Sequence, residues 1–328
     1  MNSFGSLFRI TIFGESHGEE IGVCIDGMKP GIKVDIDELI KMLERRKSGK
    51  KGTTPRKESD IPIISSGVFN GFTTGSPILI SFKNENTISK DYSGLIDIPR
   101  PGHADYVAYQ KYKGFNDYRG GGHFSGRLTL PFVAAGYFAS KLIDTKVVSR
   151  VIQIGTEKDP NKFDEYIDDI IRKNDSIGGI ISIDATNVPK FIGEPFFDSV
   201  ESRIAALLYS IPAVKGVEFG IGFEGINLTG SRFNDLFINE DGKTKTNNNG
   251  GINGGITNGN DLHLNVFVKP TPSISKEQET YNFKEHKMDN LQIKGRHDAC
   301  IALRCGVVLE SAVYIALADL FLINKAYE

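Results

Sequence analysis

The sequence predicts an α+β fold of layered sheets and helices, and three observations predict it. Short β-rich runs alternate with helical periodicity along most of the chain. Two stretches, residues 132–143 and about 300–321, are apolar nearly all round, as a helix must be if it is covered on every side. From residue 163 to 223 the order is helix, strand, helix, strand, which suits an internally duplicated unit, although no residue-level repeat is visible.

Taken in order, FRITIF at 8–13 alternates as a half-buried strand and delivers Gly14-Glu15-Ser16-His17-Gly18 at its end. Asp35 followed by Glu38 resembles a capping box, and Ile36, Leu39, Ile40 and Leu43 give the helix behind it one apolar face. That helix ends in Arg45, Arg46 and Lys47, ahead of a basic loop at 48–55. IPIISSGVF and SPILISF, separated by NGFTTG, read as a hairpin or meander over 61–82. A buried helix at 132–143 and a strand at 147–154 follow. Phe163, Tyr166, Ile167, Ile170 and Ile171 mark an amphipathic helix, 177–185 a strand, 200–211 a helix, and 210–223 contains a further strand. GKTKTNNNGGINGGITNGN at 242–260 has the composition of a flexible linker, or of a long loop folded over a ligand. The strand at 262–268 leads into KPTPS at 269–273, and GRHDAC at 295–300 leads into the last apolar helix.

With 328 residues the chain has enough length for one large domain or two ordinary ones. Its 39 Lys and Arg against 41 Asp and Glu leave a net charge of −2, which argues against a general nucleic-acid or anionic-membrane surface and makes any anion site local. Cys24, Cys300 and Cys305 have no metal-ligand spacing, and no metal site is expected. An odd, sparse cysteine count suits a reducing cytoplasm. The N-terminus does not read as a signal peptide, and the apolar stretch at 306–321, interrupted by Glu310 and Asp319, reads as too short to span a bilayer.

The chemistry concentrates in RPGHADYVAYQKYKGFNDYRGGGHFSGR at 100–127. It combines Arg100, Arg119 and Arg127 with His103, His123, Ser125 and the triple glycine 120–122. Guanidinium forks grip phosphate and carboxylate oxygens, glycines let backbone N–H groups approach an anion, and imidazoles move protons near neutral pH. Such a mixture suits a small, multiply anionic ligand. Taken alone, Ser16 and His17 could be turn residues and Asp298 a helix cap.

This stretch resembles the central signature of the chorismate synthase family. GESHG at 14–18 and GRHDAC at 295–300 resemble that family's first and last signatures, in the same order and at similar spacing. The resemblance implies one catalytic domain over 1–328, built as a β-α-β sandwich. It implies a lyase that eliminates phosphate from 5-enolpyruvylshikimate 3-phosphate with reduced FMN, in a cytoplasmic homotetramer of the shikimate pathway. By the same resemblance His17, His103 and Asp298 are catalytic, and Ser16, Arg46, Lys51, Arg100, Ser125, Arg127 and Arg296 bind substrate. His123, Phe124, Ser125, Pro212, Ala213, Gly254, Lys269, Pro270, Thr271, Pro272, Ser273 and Arg296 contact the flavin. His123 stands where many relatives have Arg and Pro212 where they have Asn or Gln, so those contacts would run through a carbonyl, a ring face or packing. Lys51 stands in for an arginine and lacks its bidentate fork. Electrons would come from NADPH or from a separate flavin reductase.

Two other readings compete at the level of the sequence. A flavin reductase would turn over NADPH without the phosphorylated substrate. A non-catalytic binder of phosphorylated ligand or RNA needs a broader basic surface and has no use for His17 and Asp298.

Overall fold

The computed structural model describes residues 1–49, 51–53, 59–85, 95–293 and 297–328. Its first half contains β1 (Ser3–Phe4), β2 (Arg9–Gly14), β3 (Glu20–Asp26), α1 (Ile36–Glu44), β4 (Ile63–Ser66), β5 (Val68–Phe69), β6 (Phe72–Thr73), β7 (Ile78–Lys83), α2 (Asp105–Lys111) and α3 (Thr129–Ser140). The second contains β8 (Lys146–Ile154), α4 (Phe163–Arg172), β9 (Gly179–Thr186), α5 (Val200–Ser210), β10 (Val214–Phe219), α6 (Gly230–Phe233), β11 (Ile252–Asn253), β12 (Ile256–Thr257), β13 (Leu262–Val268), β14 (Gln278–Asn282), β15 (Lys287–Leu291) and α7 (Ala302–Tyr327).

One antiparallel sheet runs β1-β2-β3-β7-β4 and the other β10-β13-β9-β8. The duplication the sequence suggests is present in this topology. In each half the four long strands lie in the spatial order first, second, fourth, third: β2-β3-β7-β4 and β8-β9-β13-β10. In each, a helix (α1, α5) joins the second strand to the third, and a buried helix (α3, α7) follows the fourth. The second half adds α4 between its first two strands.

The two buried helices form the middle of the sandwich. α3 packs on β2, β3 and β7 from one side, α7 packs on β8 and β9 from the other, and the two pack on each other. All residues of α3 from Leu130 to Ala139 are buried, which explains why its sequence has no polar face. Gly136 brings the pair close, since a Cβ there would lie 2.4 Å from the Ser311 side chain. The helix α7 is longer than the apolar stretch read from sequence. Its 26 residues meet the length and composition of a membrane span, but 72% of its most apolar window is buried inside the protein. Its two buried carboxylates are partnered: Glu310 with Arg45 and Ser149, Asp319 with Arg203 and three backbone N–H groups.

Three local expectations are corrected. Asp35 does cap α1, accepting from the Glu38 N–H, but Glu38 pairs with Lys141 rather than reaching back, and the Asp35 N–H goes to Tyr137 Oη. Ile36 is therefore left exposed while Leu39 and Leu43 are buried. Residues 242–260 are not a flexible linker, because Asp235 accepts bonds from Thr246, Asn248 and Asn249 and draws the Asn-rich run onto the body. Burial would raise the Asp235 carboxyl, but these bonds outweigh it and hold it below the usual range. The hairpin β14–β15 is absent from the sequence reading, since QETYN and KMDNL show no apolar alternation.

Candidate active site

A cavity of about 1070 Å³ opens between the first sheet, the central loop, the α5–β10 turn, the 269–273 segment and the approach to α7. Its size exceeds the range of most single-ligand pockets, roughly 300–1,000 Å³. Among the described residues it is lined by seven Lys and Arg side chains and two carboxylates.

At the end of β2 the backbone turns at Gly14, and Ser16 and His17 are buried. Gly120, Gly121 and Gly122 all have positive φ, at 60°, 84° and 54°. A Cβ on Gly120 would lie 2.4 Å from the His17 ring, and one on Gly122 would strike the Asp117 carbonyl at 1.9 Å. The glycines thus let the central loop close on the first signature, where the Gly122 carbonyl accepts the Ser16 N–H at 3.1 Å. This differs from the anion cradle expected of them. Ser16 and Gly120 line the cavity and His17 packs directly behind Gly120.

Arg100 is the hub of the central loop. It makes a bidentate pair with Asp105, with Nε and Nη2 each 2.7 Å from a carboxylate oxygen, and donates through Nη1 to Ser273 Oγ at 2.9 Å. His103 Nδ1 lies 2.6 Å from Asp105 Oδ1. Arg100 Nη2 lies 3.1 Å from the same nitrogen, so His103, Arg100 and Asp105 form one cluster. Burial would raise the Asp105 carboxyl, yet the bonds from Arg100 and His103 outweigh it and hold the group far below the usual carboxylate range. Arg127 is buried and paired with the buried Asp60, and its Nε donates to Asn84 Oδ1 at 3.1 Å. Arg119 turns away instead, forming a fork with Asp117, and is not on the wall.

Of the other expected residues, Arg46, His123, Phe124, Ser125, Pro212, Ala213, Lys269, Thr271, Pro272, Ser273 and Asp298 all line the cavity. His123 is held by the Gly14 carbonyl at 2.8 Å and Asn2 Oδ1 at 3.2 Å. Lys269 Nζ donates to the Gly102 carbonyl at 2.6 Å, closing the 269–273 segment against the central loop. Burial, then the nearby Lys215 charge, lowers its pKa.

Three expected residues lie elsewhere. Lys51 is paired with Asp168 of α4 at 2.6 Å. Pro270 packs against Gly178, and Gly254 sits in the turn between β11 and β12 with open space above it. Arg296 lies outside the described residues, as do Lys50 and Pro55 of the basic loop.

The chain matches the family model described as chorismate synthase over residues 8–322. A chorismate synthase of Chitinophaga pinensis is 53% identical over 325 residues, covering 99% of this chain and 98% of that one. One of Pyrococcus abyssi is 44% identical over 350 residues, with 99% and 98% covered. A crystal structure of a chorismate synthase superposes with a TM-score of 0.76 at 26% identity, covering 98% of this chain and 93% of the other. The chain belongs to the chorismate synthase family.

As a member of the chorismate synthase family it is an enzyme, a lyase, with the family's α+β fold. Sequence reasoning missed several parts of its cavity. Asp60, buried beside Arg127, carries no motif that marks it in advance, and Asp105, which pairs with Arg100 without lining the cavity itself, is not singled out within the central stretch. The N-terminal Met1–Phe4 segment lines the wall although nothing in MNSF signals it. Arg304 in the first turn of α7 also faces the cavity and contacts Asp298. His297 lines it with a buried Nε2 that has no hydrogen-bond partner, and burial, then the Arg100 charge, lowers its pKa. Thr271 lines it too, with a buried Oγ1 that has no hydrogen-bond partner.

Proposed function

We propose that the enzyme converts 5-enolpyruvylshikimate 3-phosphate to chorismate by a 1,4-anti elimination that needs reduced FMN, in the shikimate route to aromatic amino acids. The observation that carries this reading is the charge of the cavity wall. Among the described residues seven Lys and Arg side chains line it, Arg46, Lys47, Arg100, Arg127, Lys215, Lys269 and Arg304, against the two carboxylates of Asp60 and Asp298. A ligand bearing two carboxylates and a phosphate suits that surplus.

The residues present fit a flavin. The volume leaves room for a second ligand, and Thr271 Oγ1 and His297 Nε2 are buried polar atoms that a bound group can satisfy. His123, Phe124, Ser125, Pro212, Ala213, Lys269, Thr271, Pro272 and Ser273 would hold it, with Pro270 setting the course of the segment. Reduced FMN supplies, when bound, the transient electron density that this C–O cleavage requires. Arg46, Arg100, Arg127, Ser16 and Ser125 hold the substrate's anionic groups. The C3–O bond breaks with its electron pair leaving on phosphate, which His17 protonates, and the C6 proton is relayed to Asp298. His103 fixes the protonation state of the cofactor site. General acid–base help of this kind contributes roughly 10²–10⁴-fold per group.

Exposed Phe196, Phe197, Phe223 and Ile226 support assembly into the homotetramer, in which Gly254 reaches a neighbouring subunit's cavity. Arg296 and Lys51 remain proposed as ligand contacts on the family's pattern. Localisation is cytoplasmic. Electrons come from NADPH at this chain's own site or from a separate flavin reductase, and NADPH oxidation by the purified chain with FMN separates the two.

The deciding experiment is anaerobic mixing with chemically reduced FMN and 5-enolpyruvylshikimate 3-phosphate, following chorismate absorbance and phosphate together. Equal appearance of both, with reduced but not oxidised flavin, is expected. Absence of product from folded, flavin-binding protein overturns the reading.

A further inference from the structure

Arg304 stands where helix electrostatics disfavour it. It lies in the first turn of α7, a turn with no acidic residue, where the helix N-terminus already presents partial positive charge. The helix dipole disfavours a cation there. What offsets this is Asp298: Arg304 Nη2 is 3.1 Å from Asp298 Oδ2, and the two side chains are only 18% and 11% exposed. Both line the cavity.

The backbone beside Asp298 is pinned on two sides. The N–H groups of Ala299 and Cys300 donate to the Gly52 carbonyl at 2.9 and 3.2 Å, and the Ala299 carbonyl accepts the Ile177 N–H at 2.8 Å. On this fixed main chain Arg304 engages one carboxylate oxygen of Asp298 from a rigid helix. The charged and titratable groups around Asp298 come from several elements. His297 precedes it, Arg100 of the central loop acts on His297, and Arg46 at the end of α1 acts together with Arg304 on buried Cys305. Burial pushes the Cys300 and Cys305 thiols up to about 11 and about 12, so both are neutral.

We propose that Arg304 is a positioning residue for Asp298, holding its carboxylate turned toward the cavity so that it can receive the proton lost by the substrate. This rests on the proposed role of Asp298. Arg304 neither gives nor takes a proton, because a guanidinium stays charged at any working pH. The proton passes from substrate to Asp298 and on to solvent, with Arg304 unchanged throughout.

The test compares Arg304→Met with Arg304→Lys in the folded enzyme, following kcat, KM for substrate and the dissociation constant for FMN. Arg304→Met is expected to lower kcat ten- to a hundredfold with little change in KM or in FMN binding. Arg304→Lys, which keeps the charge without the fork, is expected to restore part of kcat. In an Asp298→Asn background, Arg304→Met should have little further effect on kcat. Unchanged kcat in folded Arg304→Met overturns the proposal, a loss that is equally large in the Asp298→Asn background overturns it too, and a raised KM with unchanged kcat overturns it in favour of direct substrate contact. Full activity of Asp298→Asn instead removes the proposed role of Asp298, and wild-type turnover separates that result from failure of the lyase reading.

Discussion

Glu310 receives the guanidinium of Arg45 at 2.6 Å across 265 residues of sequence, and is itself only 1% exposed. The same carboxylate accepts the Ser149 N–H at 2.9 Å and the Ser149 hydroxyl at 2.6 Å. One group of α7 thereby fastens the end of α1 and the middle of β8, and the residue after Arg45 is the cavity's Arg46. Glu310→Gln preserves the shape and removes the charge. It is expected to destabilise the fold by about 1–3 kcal/mol, the usual cost of disturbing a buried hydrogen-bonded group, as read from urea unfolding. Because the end of α1 loses its tether, KM for the anionic substrate should rise more than kcat falls.

Gly120→Ala tests the contact between the central loop and the first signature. The new methyl would sit 2.4 Å from His17 and 3.0 Å from Ser16 Oγ, at a φ of +60° that disfavours any side chain. Since the site is at the cavity wall and not in the sandwich core, a loss of about 1–2 kcal/mol in stability is expected. Activity should fall far more, because the group displaced is the proposed proton donor. Equal activity in a variant of near-native stability would remove His17 from the mechanism.

The sign of the pH dependence follows from Asp105. Its folded pKa lies below its unfolded one, because the bonds from Arg100 and His103 overcome the effect of burial. The stability it contributes is complete above the ordinary carboxylate range, near pH 4, and is lost as pH falls from there toward the folded value. Asp105→Asn should therefore flatten the loss of stability on acidification below about pH 4, measured as urea midpoints between pH 2 and 6. An unchanged slope would mean that another carboxylate governs acid unfolding.

The elements that bury a whole face or a whole helix were legible in the sequence, because burial leaves a periodic mark. α3, α4, α5, β2 and β13 fall within a few residues of where their apolar patterns lie. The 242–260 region was not, since Asn and Gly composition is the same whether a segment is mobile or held, as here, by one buried-side carboxylate such as Asp235. Within the cavity, the residues set in motifs could be named in advance, whereas Asp60 and Arg304 could not, nor could Asp105, which supports the wall through Arg100. Their importance lies in a partner: Asp60 is 67 positions from Arg127, and Asp105 is an ordinary helix-start acid until Arg100 folds over it. Lys51 shows the converse, a cation in the right motif that finds a nearer carboxylate in Asp168.

The thiols offer a simple check on burial. Cys300 and Cys305 are buried and their pKa values are pushed up to about 11 and about 12, whereas Cys24 is partly accessible. A thiol-specific reagent at pH 8 should modify Cys24 alone in native protein and all three in denaturant.

Asp319 decides where the N-terminal wall of the cavity stands. It is fully buried on α7, accepts the N–H groups of Ser6, Leu7 and Phe8 at 2.7–3.0 Å, and pairs with Arg203 of α5. Those three amides are otherwise orphaned at the entry to β2, and the segment they anchor runs back through Phe4 and Asn2 to the His123 imidazole. Asp319→Asn replaces an acceptor with a donor that faces both the amides and Arg203, so the buried cation loses its counter-charge. Breaking a buried pair in this way costs about 3–5 kcal/mol. Hydrogen exchange at Ser6, Leu7 and Phe8 should accelerate beyond the global change. FMN affinity should also fall, because the released strand forms part of the wall on which the proposed cofactor rests. Exchange that rises only in step with global unfolding would mean that the N-terminal segment is held by the sheet and not by this carboxylate.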